Sequence, residues 1–307
     1  MSFINNLLGK TEEQRKKNLI MAIYITIAVV LLLTIAIIAT LIADNADKLP
    51  DGSLNGTLEQ DAEPVTKKFD INDTKKGTLL VVNKNTDEYD FTLNLESELK
   101  QMSTNIPKVN GVAVYTLKND SLKANAEALS ALNKMATDFV KQNTENADKK
   151  LTVYSAYRTL AEQSGYSVAA GHSDFHTGML FELTIDGTKT SIKDDAAFNW
   201  IYDNAYKYGF IERYPDAKSS ETGVSDFDNA FRYVGVAHAT YMKENNLCLE
   251  EYVKLLQNSK GTALTAGEYS ITYAKISASG KTEVELPSAS ATVSGDNMGG
   301  IIITSKK

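Results

Sequence analysis

The sequence predicts an α+β fold, preceded by one transmembrane helix and followed by a small β-rich appendage. Three observations carry that expectation. Segments of helical and of strand periodicity alternate irregularly between about residues 78 and 258, without the even spacing of a βαβ array. Leu19 to Ala43 is a run of 25 residues without a charge. After Ser259 the composition turns to Thr, Ser, Ala and Gly, with short β-branched runs set between turn residues.

The elements follow in order. Residues 1–18 form a short N-terminal segment ending in Arg15, Lys16 and Lys17. A helix over residues 19–43 would be roughly 37 Å long, against about 30 Å of bilayer hydrocarbon. Signal-peptide cores run to only about 7–15 residues, so the segment is expected to stay as an anchor. The basic cluster before it, and Asp44 and Asp47 after it, put the N-terminus in the cytoplasm and the rest outside a cell membrane crossed once. Residues 44–77 are polar, with Pro50, Gly52, Gly56 and Pro64, and are expected to be a stalk.

The main domain is expected over residues 78–258. Thr78 to Asn83 predicts a strand. Ala124 to Asn143 carries Leu129, Leu132, Met135, Phe139 and Val140 at helical spacing. Leu151 to Ser155 predicts a strand, followed by a helix through Leu160 and Gln163, and Met179 to Ile185 a further strand. Ala196 to Tyr208 predicts a helix stopped by Gly209. Phe231 to Gly235 is a short strand, and Ala237 to Asn245 and Leu249 to Gln257 are helices. Residues 259–307 form the β appendage, with strands in Tyr269–Tyr273 and Gly300–Thr304 and no catalytic pattern.

Composition excludes several functions. The chain has 307 residues, 43% hydrophobic and 23% charged, with a net charge of −7, so it is neither disordered nor basic. That balance offers no general nucleic-acid surface. Cys248 is its one cysteine, so no intrachain disulfide or cysteine zinc cluster is available.

Several stretches then stand out together: Leu80–Lys84, Ser155-Ala156-Tyr157-Arg158-Thr159 with Gln163 behind it, Gly171–Gly178, Tyr208–Pro215, Thr222-Gly223, Phe231–Gly235 and Leu249–Tyr252. In this order and spacing they resemble the VanY-type D-alanyl-D-alanine carboxypeptidases. These are zinc peptidases (the LAS group) that share a fold with lysostaphin-like enzymes and the hedgehog domain. The resemblance implies a small antiparallel sheet with packed helices, and peptidoglycan stem peptides as the ligand class.

It also implies a metal site, and there this chain departs from the family. A hydrolytic zinc needs three ligands, an open position for water, and a base. The first family motif, Ser-x-His-x-x-Gly-x-Ala-x-Asp, aligns here as Ser173, Phe175, Gly178, Leu180 and Glu182. The second, Glu-x-x-His before Phe-Arg-Tyr-Val-Gly, aligns with Phe227 at the base and Ala230 at the ligand. Of the ligand positions Phe175, Glu182 and Ala230, only Glu182 can ligate, so no zinc and no other cofactor is expected. A rebuilt site from His176, Glu182 and His238 is the alternative, and with it an active zinc D,D-carboxypeptidase. An extended backbone would point His176 away from the cleft unless a bulge intervened. The substrate-holding positions are better kept: Arg158 is expected to meet a peptide carboxylate, with Ser173 and Gln163 as polar supports. Arg213 and Arg232 are expected in packing or ion-pair roles, and Tyr154, Tyr157, Trp200, Tyr208 and Phe210 in the core. The expected function is a membrane-anchored pseudoenzyme whose partner is a cell-wall peptide or a cell-envelope protein. A third possibility leaves the work to the appendage.

Overall fold

In a computed structural model, residues 63–94, 96–143 and 149–307 are described. The expected anchor and most of the stalk lie outside the described residues, among which no helix is long and apolar enough to cross a membrane. The chain from Asp61 to Lys307 forms one compact unit.

Its centre is a five-stranded sheet made of β2 (Thr116–Leu117), β3 (Leu151–Ser155), β4 (Leu180–Ile185), β5 (Phe210–Glu212) and β6 (Ala230–Tyr233). The strand order is β2-β3-β4-β6-β5; β2 runs parallel to β3 and every other pair is antiparallel. One sheet face is covered by α1 (Ala126–Gln142), whose Leu129, Leu132, Met135 and Phe139 pack into the core with Val153, Phe181 and Phe231. Asn125 starts this helix by accepting the amides of Glu127 and Ala128 through its side chain. The expected helix at 196–208 is one α turn set, α3 (Asn199–Asn204), flanked by 3-10 turns, and Gly209 ends it at φ +86°. Helices α4 (Val236–Glu244) and α5 (Leu249–Asn258) fall where expected.

The C-terminal appendage is a four-stranded antiparallel sheet of β7 (Leu264–Ala266), β8 (Tyr269–Lys275), β10 (Thr292–Gly295) and β11 (Gly300–Lys306) in the order β7-β8-β11-β10. Between them β9 (Thr282–Leu286) leaves the sheet and pairs with β1 (Val65–Phe69). One domain boundary and one strand are therefore corrected. Residues 64–77 are not stalk: β1 pairs along its whole length with β9, and Phe69 packs with Leu286 and Ile303. Thr78–Asn83 is turn and coil rather than a strand, because its backbone is held by side chains and carbonyls at the end of β10 and in the turn after it. Leu79 N–H donates to Ser294 Oγ at 2.9 Å, Val81 N–H to the Asp296 carbonyl at 3.2 Å, and Asn297 donates to the Val81 carbonyl at 3.1 Å. Asp296 is fully buried and also accepts from Gln257 of α5 and from Tyr273. The appendage and the main domain thus share one core, in which Leu79, Tyr252 and Leu256 meet Ile271 and Ile302.

Candidate functional site

The site is built where β3, β4 and β6 lie side by side. The β3–β4 register slips between Val153 and Ser155, so that Ser155 stands opposite Glu182 while Tyr154 bulges out. Next to it, β6 sets Ala230 directly opposite Glu182. The chain then leaves β3 through Tyr157 and Arg158 into the short helix α2 (Leu160–Gln163), started by a reciprocal cap between Thr159 and Glu162. These elements enclose a cavity of about 330 Å³ lined by Arg158, Gln163, Ser173, Phe175, Glu182 and Phe227 among others.

Arg158 is held on every side. Its Nε donates to Ser155 Oγ at 3.0 Å and one Nη to Gln163 Oε1 at 3.2 Å. Its guanidinium carbon lies 3.7 Å from the ring centroid of Phe175 and 3.9 Å from that of Tyr166, a flat cation between two aromatic faces. The remaining Nη lies 3.8 Å from a Glu182 carboxylate oxygen, long for a charge-assisted hydrogen bond. Burial lowers the pKa of Arg158 and raises that of Glu182, in each case against the pull of the other. Both shifts favour the neutral form: desolvation outweighs the attraction between them, and each charge is under-compensated. An incoming carboxylate would complete the fork of Arg158.

The expected supports are partly corrected. Gln163 does brace Arg158, and is itself fixed by donating to the Val168 carbonyl at 2.8 Å. Ser173 lines the cavity, but the hydroxyl that accepts from Arg158 belongs to Ser155. Tyr154 and Tyr157 are half-buried and line cavities, unlike Phe210, which is in the core as expected. Tyr166, more than half exposed, carries no sequence signal of a site residue, because nothing in its local pattern announces a stacking partner in the loop after α2.

The four positions aligned with metal ligands and base do converge, but their side chains do not fit zinc. Phe175, Leu180, Tyr214 and Ala230 form a buried apolar cluster with Phe227 and Val224 against it. The rings of Phe175 and Phe227 are 6.1 Å apart, and Phe227 stacks on Tyr214 at 5.7 Å. A methyl group, two phenyl rings and one carboxylate already paired with arginine offer one ligand where three are needed.

The histidines do not repair this. Asp174–Thr177 is a 3-10 turn rather than an extended segment, and it buries His176 completely. There Nδ1 lies 2.7 Å from the Arg158 carbonyl and Nε2 accepts the Gly171 amide at 3.0 Å, so both nitrogens are committed to backbone. His238 sits on the other side of the fold, on α4, with its nitrogens 2.7 Å from the Tyr252 hydroxyl and 3.1 Å from that of Thr304. The structure thus disperses the set His176, Glu182 and His238. Among the described residues no three His, Cys, Asp or Glu side chains are grouped to hold a metal ion.

Behind the cavity runs a buried ionic network. Asp174 pairs with both Arg213 and Arg232, all three fully buried, and Arg213 makes a two-pronged contact to Glu250 on α5 at 2.6 and 2.9 Å. The ion-pair role expected of the two arginines is what the fold shows. Asp174 neighbours Ser173 and Phe175, so the network fixes the turn that carries the cavity floor.

Comparison with known proteins is consistent with this architecture. Residues 163–236 match the VanY family, D-alanyl-D-alanine carboxypeptidase. A D-alanyl-D-alanine carboxypeptidase of Enterococcus faecium is 29% identical over 274 residues, covering 85% of each chain. One from Enterococcus faecalis is 34% identical over 107 residues, 35% of this chain and 39% of the relative. The crystal structure of the vancomycin resistance D,D-dipeptidase VanXYg, in complex with a D-Ala-D-Ala phosphinate analog, superposes with a TM-score of 0.63 at 22% identity. It covers 80% of this chain and 99% of that one, and so shares the fold.

Proposed function

Starting from a chain that belongs to the VanY family of D-alanyl-D-alanine carboxypeptidase domains, we propose that it binds the C-terminal carboxylate of a cell-wall stem peptide or of an envelope protein without hydrolysing it. One observation carries this: the carboxylate clamp is assembled while the metal positions are filled with packed side chains. Arg158 is stacked, braced and short of a partner. A few ångströms away Phe175 occupies a position where the family places a histidine, and its ring serves as the floor beneath the guanidinium. Recognition and hydrolysis rest on separate residues, so the first survives loss of the second. The uncharged run at Leu19–Ala43, with basic residues before it and acidic ones after, supports a single-pass anchor with the folded domain outside the cell.

The alternative, an active zinc D,D-carboxypeptidase, asks His176 to release two backbone partners and Glu182 to leave Arg158. The two are separated by zinc content and D-alanine release measured on the same purified protein. Binding of a D-Ala-D-Ala peptide with zinc near zero per chain and no release is the expected result. One zinc per chain with D-alanine release, both lost in His176→Ala, would overturn it.

A further inference from the structure

The cleft does not end at Arg158. Tyr154, Arg158 and Tyr166 also wall a second chamber of about 500 Å³ on the side of β2 and the start of α2. Besides the shared arginine, its charged lining is Glu96, Glu162, Lys118 and Lys123. Three of these four are occupied. Glu96 pairs with Lys123 at 2.8 Å. Glu162 spends its carboxylate on its own helix cap, accepting the Thr159 amide at 2.8 Å and the Thr159 hydroxyl at 3.0 Å.

Lys118 is the exception. It follows β2, whose parallel pairing with β3 brings it beside Tyr154, and its Nζ lies 4.9 Å from that ring's centroid. Among the described residues the ammonium makes one hydrogen bond, a long one of 3.5 Å to the Gly187 carbonyl. Among the described residues no carboxylate lies within ion-pair distance of it. The chamber is therefore a pocket with three tyrosines on its walls and one excess cation, opening from the same arginine that takes the first carboxylate.

We propose that this chamber receives a second carboxylate from the same ligand. That carboxylate is an acidic side chain, or a free α-carboxylate, upstream of the terminus held by Arg158, with Lys118 as its counter-ion. Tyr154 and Tyr166 form the ledge over which the intervening residues pass. The ligand class narrows from any peptide with a free C-terminus to an acidic peptide. The inference rests on the assignment of Arg158 as a carboxylate clamp, and the experiment separates the two.

The probes are short synthetic peptides ending in D-Ala-D-Ala, with a single Glu placed one, two or three residues before that ending, and their Gln counterparts. Binding is followed by calorimetry on the full chain in lipid nanodiscs at low salt. For at least one placement the Glu peptide is expected to bind about tenfold more tightly than the Gln peptide, with the ratio falling towards one in Lys118→Gln and on adding salt. Equal affinities at all three placements, with Arg158→Ala still abolishing binding, would remove the second carboxylate and leave the clamp standing. Equal loss for both peptides in Lys118→Gln makes Lys118 merely structural and also overturns the inference. No binding of any peptide takes away the clamp, and the second chamber with it.

Discussion

The guanidinium of Arg158 lies 3.7 Å over the ring of Phe175, so the arginine rests on an aromatic face inside the cavity. That support is lateral and apolar, and it keeps the fork flat and aimed into the cavity. A lysine cannot reproduce it, having neither the planar face nor the paired donors. Arg158→Lys is expected to weaken binding of a D-Ala-D-Ala peptide at least tenfold, and Phe175→Ala by a smaller factor, as measured by calorimetry. Wild-type affinity in Arg158→Lys would mean that the arginine is a local ion-pair partner and nothing more.

Glu182 competes for the same cation. It reaches Arg158 from 3.8 Å, and burial holds its pKa above the ordinary carboxylate range. Replacing it with glutamine removes the competing charge while keeping shape and hydrogen-bonding capacity. Glu182→Gln is expected to tighten binding of a peptide carboxylate several-fold at neutral pH. If affinity falls, Glu182 is holding Arg158 in place rather than competing with the ligand.

Glu182 and Ala230 face each other across β4 and β6, and Phe175 and Phe227 lie against the same apolar cluster. The double variant Phe175→His, Ala230→His is expected to bind about one zinc per chain by elemental analysis, and each single variant to bind none. Ala230 is fully buried, so the imidazole must displace part of the Tyr214 and Phe227 packing, and a lower melting temperature is expected alongside. A folded double variant without zinc would show that the backbone, too, has moved away from a metal geometry.

How far the sequence foretold this depends on the kind of contact. Strands β3, β4 and β6 and helix α1 followed from apolar periodicity, while β2 and β5, at two and three residues, are too short to show any; the convergence of Phe175, Glu182, Phe227 and Ala230 followed from aligned motifs. The turn that buries His176 did not: a four-residue 3-10 segment has no periodicity to read, and its signal is Gly178 at φ +66°. Ser155 replaced Ser173 as the partner of Arg158 because a bulge, unreadable from residue types, set the register. β1 reads as stalk in the sequence because Val-Thr-Lys-Lys-Phe is mostly polar. Its pairing depends on β9, more than 200 residues later, where Glu283 meets Lys68 at 3.1 Å.

That distant pairing changes what a deletion would do. Removing residues 262–307 takes away Asp296 and Asn297, which hold Thr78–Val82 and α5, and uncovers Leu79, Tyr252 and Leu256. The truncated domain is expected to be insoluble or to unfold without a cooperative transition by circular dichroism. A truncated form that melts cooperatively would make the appendage a separate module, against the shared core.

His238 makes stability depend on pH. It is buried between Tyr252 and Thr304, with no charged group contributing, and burial alone pushes its pKa down to about 4. In the unfolded chain the imidazole returns to about 6.5. Above that value it is neutral in both states and has no effect. Between about 6.5 and 4 the unfolded chain binds the proton and the folded one does not, so stability falls with falling pH, by about 3 kcal/mol over the whole interval. Below about 4 both states are protonated and this contribution levels off. His238→Gln, which retains a donor and an acceptor for the two hydroxyls, is expected to flatten the decline in denaturant stability between pH 6.5 and 4. An unchanged slope in that variant would assign the decline to other groups and show that the His238 imidazole is protonated inside the fold.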